Sequence, residues 1–156
     1  MNILIIKFGA RGDVIRTAYI LPGIYKKYTA PRICWYTSED SFALLRFNPY
    51  IGEILTPSHA RDLSQTEFDL IISLDDENEA LSLLEGMCCK EFIGVYLLKG
   101  QPVYDDKAAA WFDMGLISRY GKASAVMLKE KVIMTDSKTR ADKNSNRFKN
   151  IRCALL

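Results

Sequence analysis

The sequence predicts an α/β fold built on a doubly wound parallel sheet, and three observations carry that prediction. Asn2–Phe8 (NILIIKF) and Phe68–Leu74 (FDLIISL) are short apolar runs rich in β-branched residues, the pattern of strands covered on both faces. After Gly9 the hydrophobic period changes from strand-like to helix-like, and the same alternation recurs down the chain. The 156 residues, 49% hydrophobic and 26% charged, have the composition of an ordinary globular domain rather than a disordered or fibrous chain.

The first strand ends at Gly9-Ala10-Arg11-Gly12. From Asp13, taken as an N-cap, Val14, Ala18, Leu21 and Tyr25 fall on one helical stripe. Lys26-Lys27 suits the negative end of that helix dipole, and Pro22 is expected to kink the helix. Arg32–Thr37 (RICWYT) reads as a strand, Glu39–Phe47 as a helix broken by Asn48-Pro49, and Gly52–Thr56 as a short strand. Phe68–Leu74 then leads through Asp75-Asp76-Glu77 into a helix over Asn78–Met87, where three acids suit the positive end of the dipole. Glu91–Leu97 (EFIGVYL) is the last strand, and Ala108–Tyr120 and Lys122–Lys131 are later helices. These elements form a Rossmann-like sheet whose crossovers are expected to be right-handed. The domain is expected to span residues 1–135, with a basic, irregular tail over 136–156.

Charge is unevenly placed. Residues 1–128 hold 13 Lys+Arg against 16 Asp+Glu, a balance of −3, while residues 129–156 hold 8 against 3, a balance of +5. A solvated tail explains that charge better than a nucleic-acid arm, and no nucleic-acid partner is expected. No run approaches the roughly 20 apolar residues of a membrane span, and the start turns polar too soon for a secretory signal, so the expected compartment is the cytoplasm. Cys34, Cys88, Cys89 and Cys153 lack paired CxxC spacing and have only His59 beside them, which indicates neither a disulfide framework nor a metal site. They read as reduced thiols. Trp35, Trp111, Phe112 and Tyr96 read as packing residues.

Ligands of open parallel sheets bind beyond the carboxyl ends of the strands, which points to Lys7–Thr17, KFGARGDVIRT. This stretch is neither a GxGxxG dinucleotide fingerprint nor a Walker loop ending in GK[ST]. Gly9-x-x-Gly12 leaves backbone N–H groups near a helix N-terminus, a cradle suited to an anion. Asp13 has two compatible roles there: a cap for the first turn, and a carboxylate kept ionised by the dipole and able to accept a proton from an attacking hydroxyl. Lys7 and Arg11 flank the turn as phosphate partners or as salt-bridged side chains. Thr17 either meets a substrate or bonds its own helix backbone.

Read together, NILIIKFGARGDVIRTAYILPGIYKKY, CWYTSEDSFALLRFNPYIGEIL, FDLIISLDDENEA and WFDMGLISRYGK resemble, in order and spacing, the N-terminal half of family 9 glycosyltransferases, the heptosyltransferase group of lipopolysaccharide core assembly. The resemblance covers about residues 2–130, and GDVIRT with the following ILP is its most specific part. It implies a GT-B transferase of two Rossmann-like domains: the N-terminal one receives a lipid-linked or phosphorylated saccharide acceptor, and the C-terminal one holds a nucleotide-sugar, usually ADP-heptose. Transfer inverts the anomeric centre and needs no metal or other cofactor. The family's general base maps onto Asp13, with Lys7, Gly9, Arg11, Gly12 and Thr17 as the substrate-binding set. The acceptor places the family at the cytoplasmic face of the inner membrane, which implies peripheral membrane contact.

Two such domains need on the order of 300 residues, so this chain is expected to lack the nucleotide-sugar domain and to be inactive alone. It then reads as an N-terminal fragment or as one chain of a split enzyme. The alternative is a stand-alone Rossmann-like module that binds a phosphorylated sugar or nucleotide without catalysis.

Overall fold

The computed structural model describes residues 1–59, 63 and 65–113. In chain order the elements are β1 (Asn2–Ile6), α1 (Arg11–Ala18), α2 (Leu21–Lys27), β2 (Arg32–Tyr36), α3 (Glu39–Leu45), β3 (Glu53–Leu55), a 3₁₀ turn at Pro57–His59, β4 (Phe68–Ser73), α4 (Asn78–Ser82), β5 (Cys89–Leu98), β6 (Gln101–Tyr104) and α5 (Asp106–Asp113). The strand order is β3-β2-β1-β4-β5-β6. β1 pairs parallel with β2 from Asn2↔Arg32 to Ile6↔Tyr36, and parallel with β4 from Ile3↔Leu70 to Ile6↔Ser73. The chain therefore builds outward from β1 in one direction and then in the other, which puts the topological switch point between β1 and β4.

Burial follows from that position. Ile3, Leu4, Ile5 and Ile6 are all fully buried, so both faces of β1 are covered, and each such side chain contributes about 2 kcal/mol of hydrophobic stabilisation. Trp35 on β2 is equally buried, as its packing role requires. Cys34 is buried, Cys88 exposed and Cys89 half-buried, all three outside any disulfide, and burial pushes the Cys89 thiol up to about 11.

The first crossover differs from its expected form. α1 opens at Arg11, two residues early, because Gly9 (φ 66) turns the chain directly off the strand and Ala10 becomes the N-cap. The Ala10 carbonyl accepts the N–H groups of Asp13 (2.8 Å) and Val14 (3.2 Å), so Asp13 is not the cap but the third helical residue. The expected kinked helix is two helices. Pro22 has no N–H to donate and its ring excludes the carbonyl four residues back, so α1 closes with a turn in which Ile20 N–H meets Thr17 O at 3.1 Å. Pro22 then sits in the first turn of α2, where a missing donor costs nothing. The buried stripe is accordingly Val14, Thr17, Leu21 and Ile24, not the stripe through Ala18 and Tyr25.

Downstream, α4 is shorter than expected: past Ser82 the chain continues in single turns toward Gly86 (φ 80). β5 is longer, held in register with β4 from Phe68↔Cys89 to Ser73↔Gly94. β6 is an unexpected strand. Lys99 (φ 53) and Gly100 (φ 73) form a two-residue connection with both central residues left-handed, the turn that folds β6 back on β5 as a hairpin. Such a connection is short enough only for an antiparallel pair, and an edge strand tolerates Pro102.

The chain forms two compact units, Met1–Val103 with the sheet, and a second from Tyr104 onward. In the second unit, α5 begins at Asp106 rather than Ala108 because Asp105 precedes it as a cap, its carbonyl accepting Ala108 N–H at 2.9 Å. Phe112 packs edge-on against Tyr104 with ring centroids 4.7 Å apart. The remainder of the 108–120 helix, the 122–131 helix, Cys153 and the basic tail lie outside the described residues.

Gly94 faces the end of β4 so closely that a Cβ would lie 1.9 Å from the Ser73 carbonyl oxygen, on a backbone with φ 135. Gly94→Ala is expected to destabilise the fold by more than about 3 kcal/mol, read by urea unfolding; a stability within about 0.5 kcal/mol of the parent would contradict this packing.

Candidate functional site

β1 and β4 end side by side, and the residues just beyond them are built around one carboxylate. Asp75, only 1% exposed, follows β4 by two residues. Its Oδ2 accepts the Lys7 ammonium at 2.9 Å and the Phe8 backbone N–H at 2.9 Å, and its Oδ1 accepts the Glu77 backbone N–H at 3.0 Å. A buried carboxylate survives only with such partners, and three charge-assisted bonds supply them. The same bonds tie the start of the β1–α1 turn to the end of β4. Backbone bonds from Lys7 N to Tyr36 O (3.1 Å) and from Leu74 N to Ile6 O (3.0 Å) extend the sheet by one residue beneath it.

Gly9 crosses directly above this pair. A Cβ there would lie in ordinary contact, 3.4 Å from Asp75 Oδ2, 3.5 Å from Lys7 Nζ and 3.7 Å from Glu77 Oε1, so it is the left-handed φ that favours glycine. Gly12 in the first turn of α1 is exposed, with open space where a Cβ would stand, so the helix opens without a side chain over it. The N–H groups of Arg11 and Gly12, ahead of the first bond from Asp13 to the Ala10 carbonyl, have no acceptor within the helix and make its electropositive end.

Asp13 stands half-exposed in this turn, with Oδ1 taking the Arg16 guanidinium at 2.8 Å. The carboxylate thus has one oxygen oriented by Arg16 and the other open for a proton. Arg11 is 67% exposed, its guanidinium 3.8 Å from Asp40 at the start of α3, a distance that leaves its charge available to solvent and ligand. Lys7, by contrast, is mostly buried and its charge is committed to Asp75. Thr17 leaves the expected substrate-binding set: it is fully buried and its hydroxyl donates to the Asp13 carbonyl at 2.8 Å, the helix-backbone role. Of the residues singled out in the sequence, the structure brings Lys7, Gly9, Arg11, Gly12 and Asp13 to one turn.

A helix dipole acting on an acidic triplet does not predict the buried role of Asp75. The missed signal is position: Asp75 lies two residues past a strand at the switch point whose last four residues are all buried, where the chain is still inside the protein. Glu77 is exposed beside it, and its carboxyl is pushed up first by partial desolvation and then by the Asp75 charge, with Lys7 opposing. Among the described residues no cluster of His, Cys, Asp and Glu is arranged to hold a metal ion.

With this geometry in place the chain can be set beside known proteins. No family model matches it, and no curated protein matches it. Two solved structures share its architecture: E. coli heptosyltransferase WaaC with ADP, at 14% identity and a TM-score of 0.52, and the glycosyl transferase family 9 protein from Veillonella parvula DSM 2008, at 20% identity and a TM-score of 0.51. The fold is shared with family 9 glycosyltransferases. Each match covers 60% of this chain and only 35% or 31% of the solved one, so the shared part is about a third of those proteins.

The Glu77 carboxyl has a testable consequence. A carboxyl whose pKa is higher in the folded than in the unfolded state holds its proton more tightly when native, so stability falls as pH rises through that interval and stays lowered above it. Glu77 heads α4 without a side-chain cap bond, so Glu77→Gln removes this penalty without removing a cap. The variant is expected to be more stable than the parent at neutral pH, with the difference closing below the ordinary glutamate range of about 4.3. Urea unfolding at both pH values measures it; a variant no more stable at neutral pH would contradict the assignment.

Proposed function

We propose that this chain is the acceptor side of an inverting glycosyltransferase, holding a phosphorylated or lipid-linked saccharide at the β1–α1 turn while a second domain presents the nucleotide-sugar. The observation that carries this reading is the half-exposed Asp13 carboxylate at the opening of the helix next to the switch point, in a fold shared with glycosyltransferases. The limited share of each solved transferase that the match covers supports placing the nucleotide-sugar on a domain outside the matched part.

In the proposed step the acceptor hydroxyl oxygen attacks the anomeric carbon of the donor sugar from the face opposite the nucleotide. The C–O bond to the nucleoside diphosphate breaks, and the diphosphate leaves with that electron pair. The hydroxyl proton passes to the free oxygen of Asp13, whose other oxygen stays on Arg16. Configuration at the anomeric carbon inverts because bond formation and departure take place on opposite faces. Arg11 and the open first turn of α1 meet acceptor phosphate. Lys7 takes the salt-bridged one of its two expected forms: through Asp75 it positions the turn.

Isothermal titration of the 156-residue chain distinguishes this from a nucleotide-binding module. A phosphorylated disaccharide is expected to bind, weakened about tenfold by Arg11→Ala, while ADP alone does not. Micromolar ADP binding by the isolated chain would overturn the acceptor-side reading in favour of the stand-alone module. In an assembled two-domain transferase, Asp13→Asn is expected to lower kcat by about a hundredfold or more, and loss of the exposed Arg16 pair costs about 0.5 kcal/mol or less. Unchanged kcat would remove Asp13 as the base.

A further inference from the structure

The carboxylates at the switch point are not equivalent. Asp75 is closed by three partners, and Asp13 is held by Arg16. Glu77 stands at the N-cap of α4, yet its side chain makes no cap bond to that helix, and among the described residues its carboxylate makes no hydrogen bond or ion pair. Its backbone is nevertheless fixed, because the Glu77 N–H donates to Asp75 Oδ1 at 3.0 Å. From there the side chain reaches over the β1–α1 turn rather than over its own helix: Oε1 comes within 3.7 Å of the point where a Cβ on Gly9 would stand. Partial desolvation and then the Asp75 charge push its carboxyl up, so this placement costs the free protein stability that no intramolecular bond recovers. A group kept at such a cost beside a candidate site fits a contact completed by ligand.

The chemistry of that contact follows from the charge. An ionised carboxylate accepts hydrogen bonds and donates none, which suits the hydroxyls of a sugar ring. It repels a carboxylate or phosphate brought beside it, and like charges placed together at a binding surface discriminate strongly between partners. Arg11, exposed and only loosely associated with Asp40, begins α1 two residues past Gly9. The turn therefore offers a cation at its helix end and an open carboxylate at its strand end.

We infer that Glu77 is a specificity-determining residue of this site. It selects a saccharide whose phosphate meets Arg11 and whose adjoining ring presents neutral hydroxyls, and it excludes a saccharide with a second acid group on that ring. The inference rests on the acceptor-side reading and names the class of saccharide that reading takes.

Amide chemical-shift titration of the full chain with glucose 1-phosphate, glucuronic acid 1-phosphate and inorganic phosphate tests it. The parent is expected to bind glucose 1-phosphate about tenfold more tightly than either of the other two. Glu77→Ala, with circular dichroism confirming an unchanged fold, is expected to lose both preferences, weakening glucose 1-phosphate by about tenfold without weakening glucuronic acid 1-phosphate. Glu77→Gln keeps an acceptor oxygen and loses the charge. It is expected to retain part of the preference over inorganic phosphate and to lose the exclusion of the uronic acid, a separation that a merely structural role would not produce. A parent that binds both sugar phosphates equally, or a Glu77→Ala variant that keeps both preferences, would overturn the inference and leave the acceptor-side reading standing. A parent that binds none of the three ligands would overturn both, because the phosphate contact at Arg11 would then be missing.

Discussion

The buried carboxylate of Asp75 is the constraint on which the rest of the arrangement depends. Charge this far inside a sheet is costly unless it is paired and hydrogen-bonded, and Asp75 is held by Lys7, Phe8 N–H and Glu77 N–H. Those partners belong to the ends of two different strands, so satisfying the carboxylate also brings β1 and β4 to a common end. Gly9 then passes over the pair in the left-handed conformation, which glycine adopts without strain and which starts α1 early. The early start moves Asp13 from the cap to the third helical residue, where it is half-exposed and oriented by Arg16. Each step is local, yet together they set where a half-exposed carboxylate stands at the switch point.

The same chain of dependence divides labour among the cations. Lys7 is paired with the buried Asp75, whereas Arg11, more loosely associated with Asp40, stands exposed at the mouth of the turn. Residues 1–50, which hold this turn, also carry most of the exposed large apolar side chains and a surplus of basic residues, while the acidic surplus lies in residues 51–113.

Much of this was legible in the sequence because parallel strands covered on both faces read as continuous apolar runs. NILIIKF and FDLIISL lie on the two central strands beside the switch point, and Lys7 to Asp13 follow the first of them directly. What escaped was set by tertiary geometry. The α1 start depends on the φ of Gly9, the α1–α2 break on a proline clash with a carbonyl four residues back, and β6 on a Lys99-Gly100 hairpin in a polar stretch containing Pro102. Asp75 was hidden within an acidic triplet that a helix dipole explains without burial. Thr17 shows the opposite: the backbone-bonding alternative, available from helix chemistry alone, is the one observed.

Native-state hydrogen exchange at the Phe8 amide tests the central claim most directly, because that N–H reports whether Asp75 truly clamps the turn. If it does, Phe8 N–H exchanges only by global unfolding, with the same protection and denaturant dependence as the Ile5 amide in the middle of β1. Exchange at least about a hundredfold faster than Ile5, insensitive to denaturant as in a locally opening loop, would contradict the account.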